Sequence, residues 1–199
     1  MSPDRATLAE DYERLLNEHL AAAERAQVLL QPTADLAAAA ISTLRAGGKL
    51  LLCGNGGSAA DSQHIATELT IRFERERRAL AAIALTTDGS ALTAAGNDFG
   101  FEQVFARQIA ALGRPGDLLI ALTTSGNSPN ILAALAAARE GKIVTACLTG
   151  RNGGIIAREH RADHCLIVPA RDTARIQEIH IFLGHLLCHA IDAAFAEDG

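Results

Sequence analysis

Apolar residues at Leu8, Tyr12, Leu15, Leu16 and Leu20 recur at spacings of three and four, which predicts an amphipathic helix over residues 7–30. Pro32 is expected to end it, and Thr33 is placed to cap a second helix that runs to about Arg45 and closes at Gly47 and Gly48. The texture then changes. Five short apolar runs, at 49–53, 81–85, 117–122, 143–148 and 165–168, alternate with helical segments, and a long helix is expected over 173–195. Such alternation calls for right-handed crossovers and a parallel sheet covered on both faces, with ligands beyond the carboxyl ends of the strands. The expected architecture is therefore an α/β unit, a five-stranded parallel sheet flanked by helices as a flavodoxin-like three-layer sandwich, with an N-terminal helical extension. No linker, repeat or low-complexity stretch divides the chain, so residues 1–199 read as one domain, with helices over 1–47 and the α/β core over 48–199. The first and last helices both carry wide apolar stripes, which predicts helix-mediated oligomerisation.

At 199 residues the chain can bury about 70% of its unfolded surface without a metal or disulfide to fold it. Its hydrophobic share is 49%, but only 4% is aromatic and Trp is absent, so the core is aliphatic and the stacking surface of a nucleic-acid binder is missing. A net charge of -5 also repels polyanions, and the local cluster Arg72, Arg75, Arg77 and Arg78 reads as a solvated helix end. Cys53, Cys147, Cys165 and Cys188 are too widely spaced for a metal knuckle and read as buried free thiols. The start of the chain is acidic, with Asp4, Glu10, Asp11 and Glu13, and shows neither a signal-peptide pattern nor a run of membrane-spanning length. A cytoplasmic protein with no membrane or nucleic-acid partner is expected.

Two loops carry the candidate chemistry. Gly54-Asn55-Gly56-Gly57-Ser58 and Thr123-Thr124-Ser125-Gly126-Asn127-Ser128 each follow an apolar run and precede a helical segment. Glycines let backbone amides approach an anion, hydroxyls donate hydrogen bonds, and a helix N-terminus adds partial positive charge, so the pair predicts a phosphorylated small molecule. Pro129 suits the first turn of the helix that follows the second loop. The first loop also fits the dinucleotide pattern G-x-G-x-x-A through Gly54, Gly56 and Ala59. That reading wants an acidic residue about 20 residues on, whereas Asp88 comes much later, and it leaves the hydroxyl-rich loop unexplained.

His64 and Glu68 stand four apart on one helical face, and Arg72 continues the row, placed to hold Glu68 ionised and fit to accept a proton. They could share a metal or a substrate, or form an ordinary surface pair. The terminal helix carries Gln177, Glu178, His180, His185, Cys188, His189 and Asp192 among its apolar positions. His185 and His189 could bind a metal, although such isolated pairs are commonly structural. Gln177 and His185 differ in height by ~12 Å along one helix, so a site that uses both would draw them from different copies and lie at a subunit interface.

These residues resemble the sugar isomerase (SIS) domain family, and within it the bacterial phosphoheptose isomerases, over nearly the whole chain. The resemblance rests on Cys53-Gly-Asn-Gly-Gly-Ser-Ala-Ala-Asp-Ser-Gln-His64, Glu68, Arg72-Phe73, Gly96-Asn-Asp-Phe-Gly100, Thr124-Ser-Gly-Asn-Ser128, Leu148-Thr-Gly150 and Ala174-Arg-Ile-Gln-Glu-Ile-His180. It implies a homotetramer with sites between subunits and a sugar phosphate substrate. Phosphate would be held by Thr123, Thr124, Ser125 and Ser128, and the sugar contacted by Asn55, Gly56, Gly57, Asn97 and Asp98, with Glu68 and Gln177 also at the substrate. It further implies one zinc per subunit on His64, Glu68, Gln177 and His185, with Glu68 and His185 doubling as the acid-base pair.

The chain departs from the family at Thr123, where Ser is common, and at Ala174, where some members carry Asp. The first keeps its hydroxyl; the second removes an assisting carboxylate and leaves the base role on Glu68. The activity implied is conversion of sedoheptulose 7-phosphate to D-glycero-D-manno-heptose 7-phosphate through an enediol, feeding activated heptose for the cell surface. A related branch that binds the bacterial replication initiator is the main alternative. It carries non-catalytic residues where this chain has Glu68 and His185. Isomerases or lyases of other sugar phosphates on the same fold are the runners-up.

Overall fold

The computed structural model describes residues 5–196; Asp4 and the two extreme ends lie outside them. Helix α1 (Arg5–Arg25) leads through a 3-10 turn (Ala26–Leu29) into α2 (Leu30–Arg45). Then follow β1 (Leu50–Gly54), α3 (Gly57–Thr70), β2 (Ala82–Ala84), α4 (Gly89–Phe99), a 3-10 turn (Phe101–Gln103), α5 (Ala106–Leu112) and β3 (Leu118–Thr123). The chain ends with α6 (Pro129–Glu140), β4 (Val144–Gly150), α7 (Gly154–Arg158), β5 (His164–Val168) and α8 (Thr173–Phe195). All four strand pairings are parallel, in the order β2-β1-β3-β4-β5. This is the flavodoxin-like order, whose switch point falls between β1 and β3.

Alternation along the strands divides the core in two. Leu50 and Leu52 of β1 point to one face and pack with α1, α2, α3 and α8. Leu51 and Cys53 point to the other and pack with α4, α5, α6 and α7. Both faces are covered, so the strands read as continuous apolar runs.

Several sequence expectations change. Pro32 does not end a helix: it lies in the first turn of α2, where a missing N–H costs nothing, and the break falls at the 3-10 turn before it. Thr33 is therefore no cap but a buried residue whose hydroxyl donates to Leu29 O at 2.7 Å. β1, β3 and β4 extend to Gly54, Thr123 and Gly150, because ladder hydrogen bonds accept residues that an apolar pattern excludes. Of the basic cluster, Arg72, Arg75 and Arg78 are exposed, but they follow α3 after its end at Thr70, and the Arg77 guanidinium is fully buried. Cys53, Cys147 and Cys188 are buried free thiols, while Cys165 is only half-buried. No described helix is long and apolar enough to cross a membrane.

Candidate active site

Both predicted loops emerge at the switch point, one after β1 and one after β3, and they meet. A cavity of about 280 Å³ is lined by Asn55, Gly56, Gly57 and Ser58 from the first, by Leu122, Thr123, Thr124, Ser125 and Ser128 from the second, and by Thr173 and Gln177 of α8. The N-terminal ends of α3, α6 and α8 therefore converge on one space. Each contributes partial positive charge and free N–H groups, which suits a phosphate without any cationic side chain.

Local geometry explains the loop sequences. Gly126 has φ 66°, and a Cβ there would lie 2.0 Å from Gly153 O, so only glycine lets the two loops touch. Ser128 sits at the N-cap of α6 but makes no side-chain cap; its Oγ instead lies 3.2 Å from Thr123 Oγ1. The two hydroxyls are held together facing the cavity. Asn127 braces the loop: its side-chain amide donates to Ser125 O, and its carbonyl oxygen accepts from Ile155 N at 2.9 Å. The side chain of Asn55 is held by that of buried Asn130 through reciprocal bonds of 2.9 and 2.8 Å. Asn130 escaped sequence analysis, where the only sign was an amide next to Ser128-Pro129.

A second cluster stands further along α3. His64 Nε2 lies 3.4 Å from Glu68 Oε1 and 3.0 Å from His185 Nε2 of α8. One imidazole donates and the other accepts, which fixes opposite tautomers on the facing nitrogens. The Phe73 ring stacks on His185 with centroids 5.6 Å apart, holding the imidazole in place. One turn earlier, Asp61 keeps a buried Oδ2 without a hydrogen-bond partner, and burial raises its carboxyl pKa against the lowering influence of His64.

The Glu68 segment is clamped from behind. Arg77 donates from Nη2 to Glu68 O at 2.7 Å, from Nη1 to Leu69 O at 3.0 Å, and from Nε to Asp192 Oδ1 at 2.6 Å. Asp192 Oδ2 accepts the backbone N–H groups of Glu74 and Arg75, both at 2.8 Å. Burial pushes the Asp192 carboxyl up, yet these N–H bonds and the guanidinium outweigh it and hold it below its ordinary value. The expected row of His64, Glu68 and Arg72 is thus corrected: the helix ends before Arg72, and Arg77 takes up the segment from behind through its carbonyls.

The sequence-predicted residues fall into two groups. His64, Glu68 and His185 converge, whereas Gln177 lies beside Gly57, where a Cβ would come 2.6 Å from Gln177 Nε2. α3 and α8 run side by side, so both pairs are offset by ~12 Å along the helices. Asn97 and Asp98 lie exposed near the end of α4, bonded to each other at 2.7 Å, and line neither the phosphate cavity nor the histidine cluster within one chain. His189 turns to Glu74 at 3.3 Å, so the H-x-x-x-H pair does not act as a unit. Asp88, the acidic residue weighed for a dinucleotide, instead caps α4 by accepting from Ala91 N at 3.0 Å.

The donor chemistry of the cluster fits zinc. Ligands at ~2.0–2.2 Å in a tetrahedron stand ~3.3–3.6 Å from one another; the His64–Glu68 spacing of 3.4 Å falls in that range, and the His64–His185 spacing of 3.0 Å is shorter and would have to open. Among the described residues, no group of three or more His, Cys, Asp or Glu side chains is placed so that it could hold a metal ion within one chain.

Residues 11–150 match the SIS domain family. The chain is 56% identical over 166 residues to the phosphoheptose isomerase of Paramagnetospirillum magneticum, covering 83% of this chain and 85% of that protein. It is 50% identical over 183 residues to that of Campylobacter jejuni, covering 92% and 97%. The solved phosphoheptose isomerase of Neisseria gonorrhoeae superposes with a TM-score of 0.87 at 47% identity, covering 94% of this chain and all of that one. The chain belongs to the SIS domain family and, within it, to the phosphoheptose isomerases.

Proposed function

We propose that this chain isomerises sedoheptulose 7-phosphate to D-glycero-D-manno-heptose 7-phosphate, an aldose-ketose interconversion that opens activated-heptose synthesis for the cell surface. The observation that carries the reading is the pairing of a cation-free cradle at three helix N-termini with a carboxylate and two imidazoles on the same pair of helices. The branch that binds the replication initiator is disfavoured because Glu68 and His185 are both present and both lie in the cluster.

Thr123, Thr124, Ser125 and Ser128 hold the phosphate, while Asn55, Gly56, Gly57 and Gln177 contact the sugar. Glu68 takes the C1 proton of the ketose, giving an enediol, and returns a proton at C2. His185 gives a proton to the C2 oxygen and accepts one from the C1 hydroxyl. Each transfer is general acid-base catalysis worth ~10²–10⁴-fold. His64, Glu68 and His185 would hold the zinc, with Gln177 as the remaining donor; when bound it supplies Lewis acidity to the substrate oxygens.

The ~12 Å offset between Gln177 and His185 supports a site completed by a second copy. Tyr12, Leu16 and Leu20 of α1, exposed by 64%, 57% and 56%, supply the apolar surface for such an assembly, which we take to be a homotetramer in the cytoplasm. Asn97 and Asp98 would then reach the sugar only across that interface.

Proton NMR of the protein with sedoheptulose 7-phosphate, and separately with fructose 6-phosphate, tests this reading. Aldose anomeric signals should grow from the heptulose alone, and Glu68→Gln should stay folded and produce none. Turnover by that variant would remove Glu68 from the base role, and turnover of the hexose at equal rate would displace the heptose assignment.

A further inference from the structure

The phosphate cradle is built entirely from glycine, hydroxyl, amide and one leucine side chain. A phosphate monoester carries about -1.5 to -2 charge at pH 7, and the chain carries -5, so the long-range field opposes substrate approach. Helix N-termini do not correct this at distance, because their influence fades within a turn.

Ser125 has a second side. Beyond it lies an open polar cavity of about 620 Å³ lined by Ser125, Asn127, Arg151, Asn152 and Arg171. Two arginines are brought together there by the backbone: Arg151 N–H donates to Ala170 O at 3.0 Å, and Arg151 Nε donates to Arg171 O at 3.2 Å. Arg151 adopts φ 59°, the left-handed conformation that a β-carbon disfavours. Neither guanidinium has a carboxylate partner among the described residues, whereas Arg175, Arg161 and Arg77 each do. Like charges are thus gathered, unneutralised, across one loop from a neutral anion cradle, and Gly126 against Gly153 keeps that loop thin.

We propose that Arg151 and Arg171 form a phosphate-guiding site, which draws the substrate's dianion to the hydroxyl loop and shares its charge across Ser125 once it is seated. The proposal rests on the sugar phosphate reading. It assigns these arginines to substrate capture and leaves proton transfer to Glu68 and His185.

The experiment measures kcat and KM for sedoheptulose 7-phosphate from low to high ionic strength in the wild type, the Arg151→Gln/Arg171→Gln double variant and the matching double Lys variant. The wild type should lose kcat/KM as salt rises. The Gln variant should lose on the order of 10-fold at low salt, carried by KM, with its salt dependence flattened. The Lys variant, which keeps the charges, should retain most of both. Calorimetric titration with inorganic phosphate gives a readout independent of turnover, and the Gln variant should bind it more weakly. A Gln variant with wild-type phosphate affinity and salt response would overturn the guiding site. Phosphate binding that depends on the arginines in a protein inactive on the heptulose would overturn the substrate assignment and keep the anion site.

Discussion

Asn55 and Asn130 clasp each other through two amide hydrogen bonds, 2.9 and 2.8 Å long, across the gap between the first glycine loop and α6. The pair spans the switch point of the sheet, so it sets the separation of the two walls of the phosphate cavity. Asn130 is 2% exposed and makes no contact with that cavity itself. Asn130→Ala should therefore remove both hydrogen bonds of the Asn55 side-chain amide and leave it free to swing. We expect a loss of ~1–3 kcal/mol in stability by urea denaturation, and a rise in KM larger than any fall in kcat. An unchanged KM would show that the clasp stabilises the fold without shaping the site.

The histidine cluster gives a prediction that does not need turnover. If zinc binds the folded protein alone, metal at a hundredfold excess over its Kd should stabilise it by ~2.7 kcal/mol, read as a rise in Tm. His64 faces both Glu68 and His185, so His64→Ala should abolish most of that rise. Gln177→Ala should weaken it only in preparations that remain assembled, because Gln177 stands with Gly57 and away from the trio in each chain. An equal effect in dissociated protein would place Gln177 at the metal within one protomer.

The site was legible wherever function and local chemistry coincide. Glycines, hydroxyls and helix starts announce a cradle in any sequence, and His64 and Glu68 announce themselves by a spacing of four. The sheet was legible because buried parallel strands are continuous apolar runs. What escaped was tertiary pairing between distant residues. Asn130 meets Asn55 from 75 positions away, and Arg77 looked like one of four surface arginines until Asp192, 115 positions on, was found beneath it. Pro32 misled for a different reason: the residue that breaks a helix interior is at home in a first turn, and only the backbone distinguishes the two.

That buried pair should decide acid stability near the active site. The Arg77 and Asp192 side chains are 0% and 1% exposed, so Asp192→Asn strands a guanidinium and should cost about 3–5 kcal/mol at pH 7. Because the folded carboxyl lies below its unfolded value of about 3.9, this stability is fully present above that value and is lost as pH falls through the folded one. Wild type and variant should thus converge in strong acid. A constant gap down to low pH would mean that the loss comes from packing and not from charge.

His180 acts in a separate window. It is fully buried, its Nε2 lies 3.1 Å from Thr149 O, and its Nδ1 has no hydrogen-bond partner. Burial lowers its pKa to about 4, against the raising influence of the Thr149 bond. The unfolded chain, with an ordinary value of about 6.5, binds a proton that the folded chain refuses. Stability contributed by neutral His180 is therefore complete above about pH 6.5 and falls with pH toward 4. Between pH 7 and pH 5 this amounts to about 2 kcal/mol in the wild type. His180→Gln removes the titrating ring, so its urea midpoint should change less over that interval even if it starts lower. If the two proteins lose stability in parallel from pH 7 to pH 5, the acid sensitivity belongs to another group, and His180 serves only to dock α8 against β4.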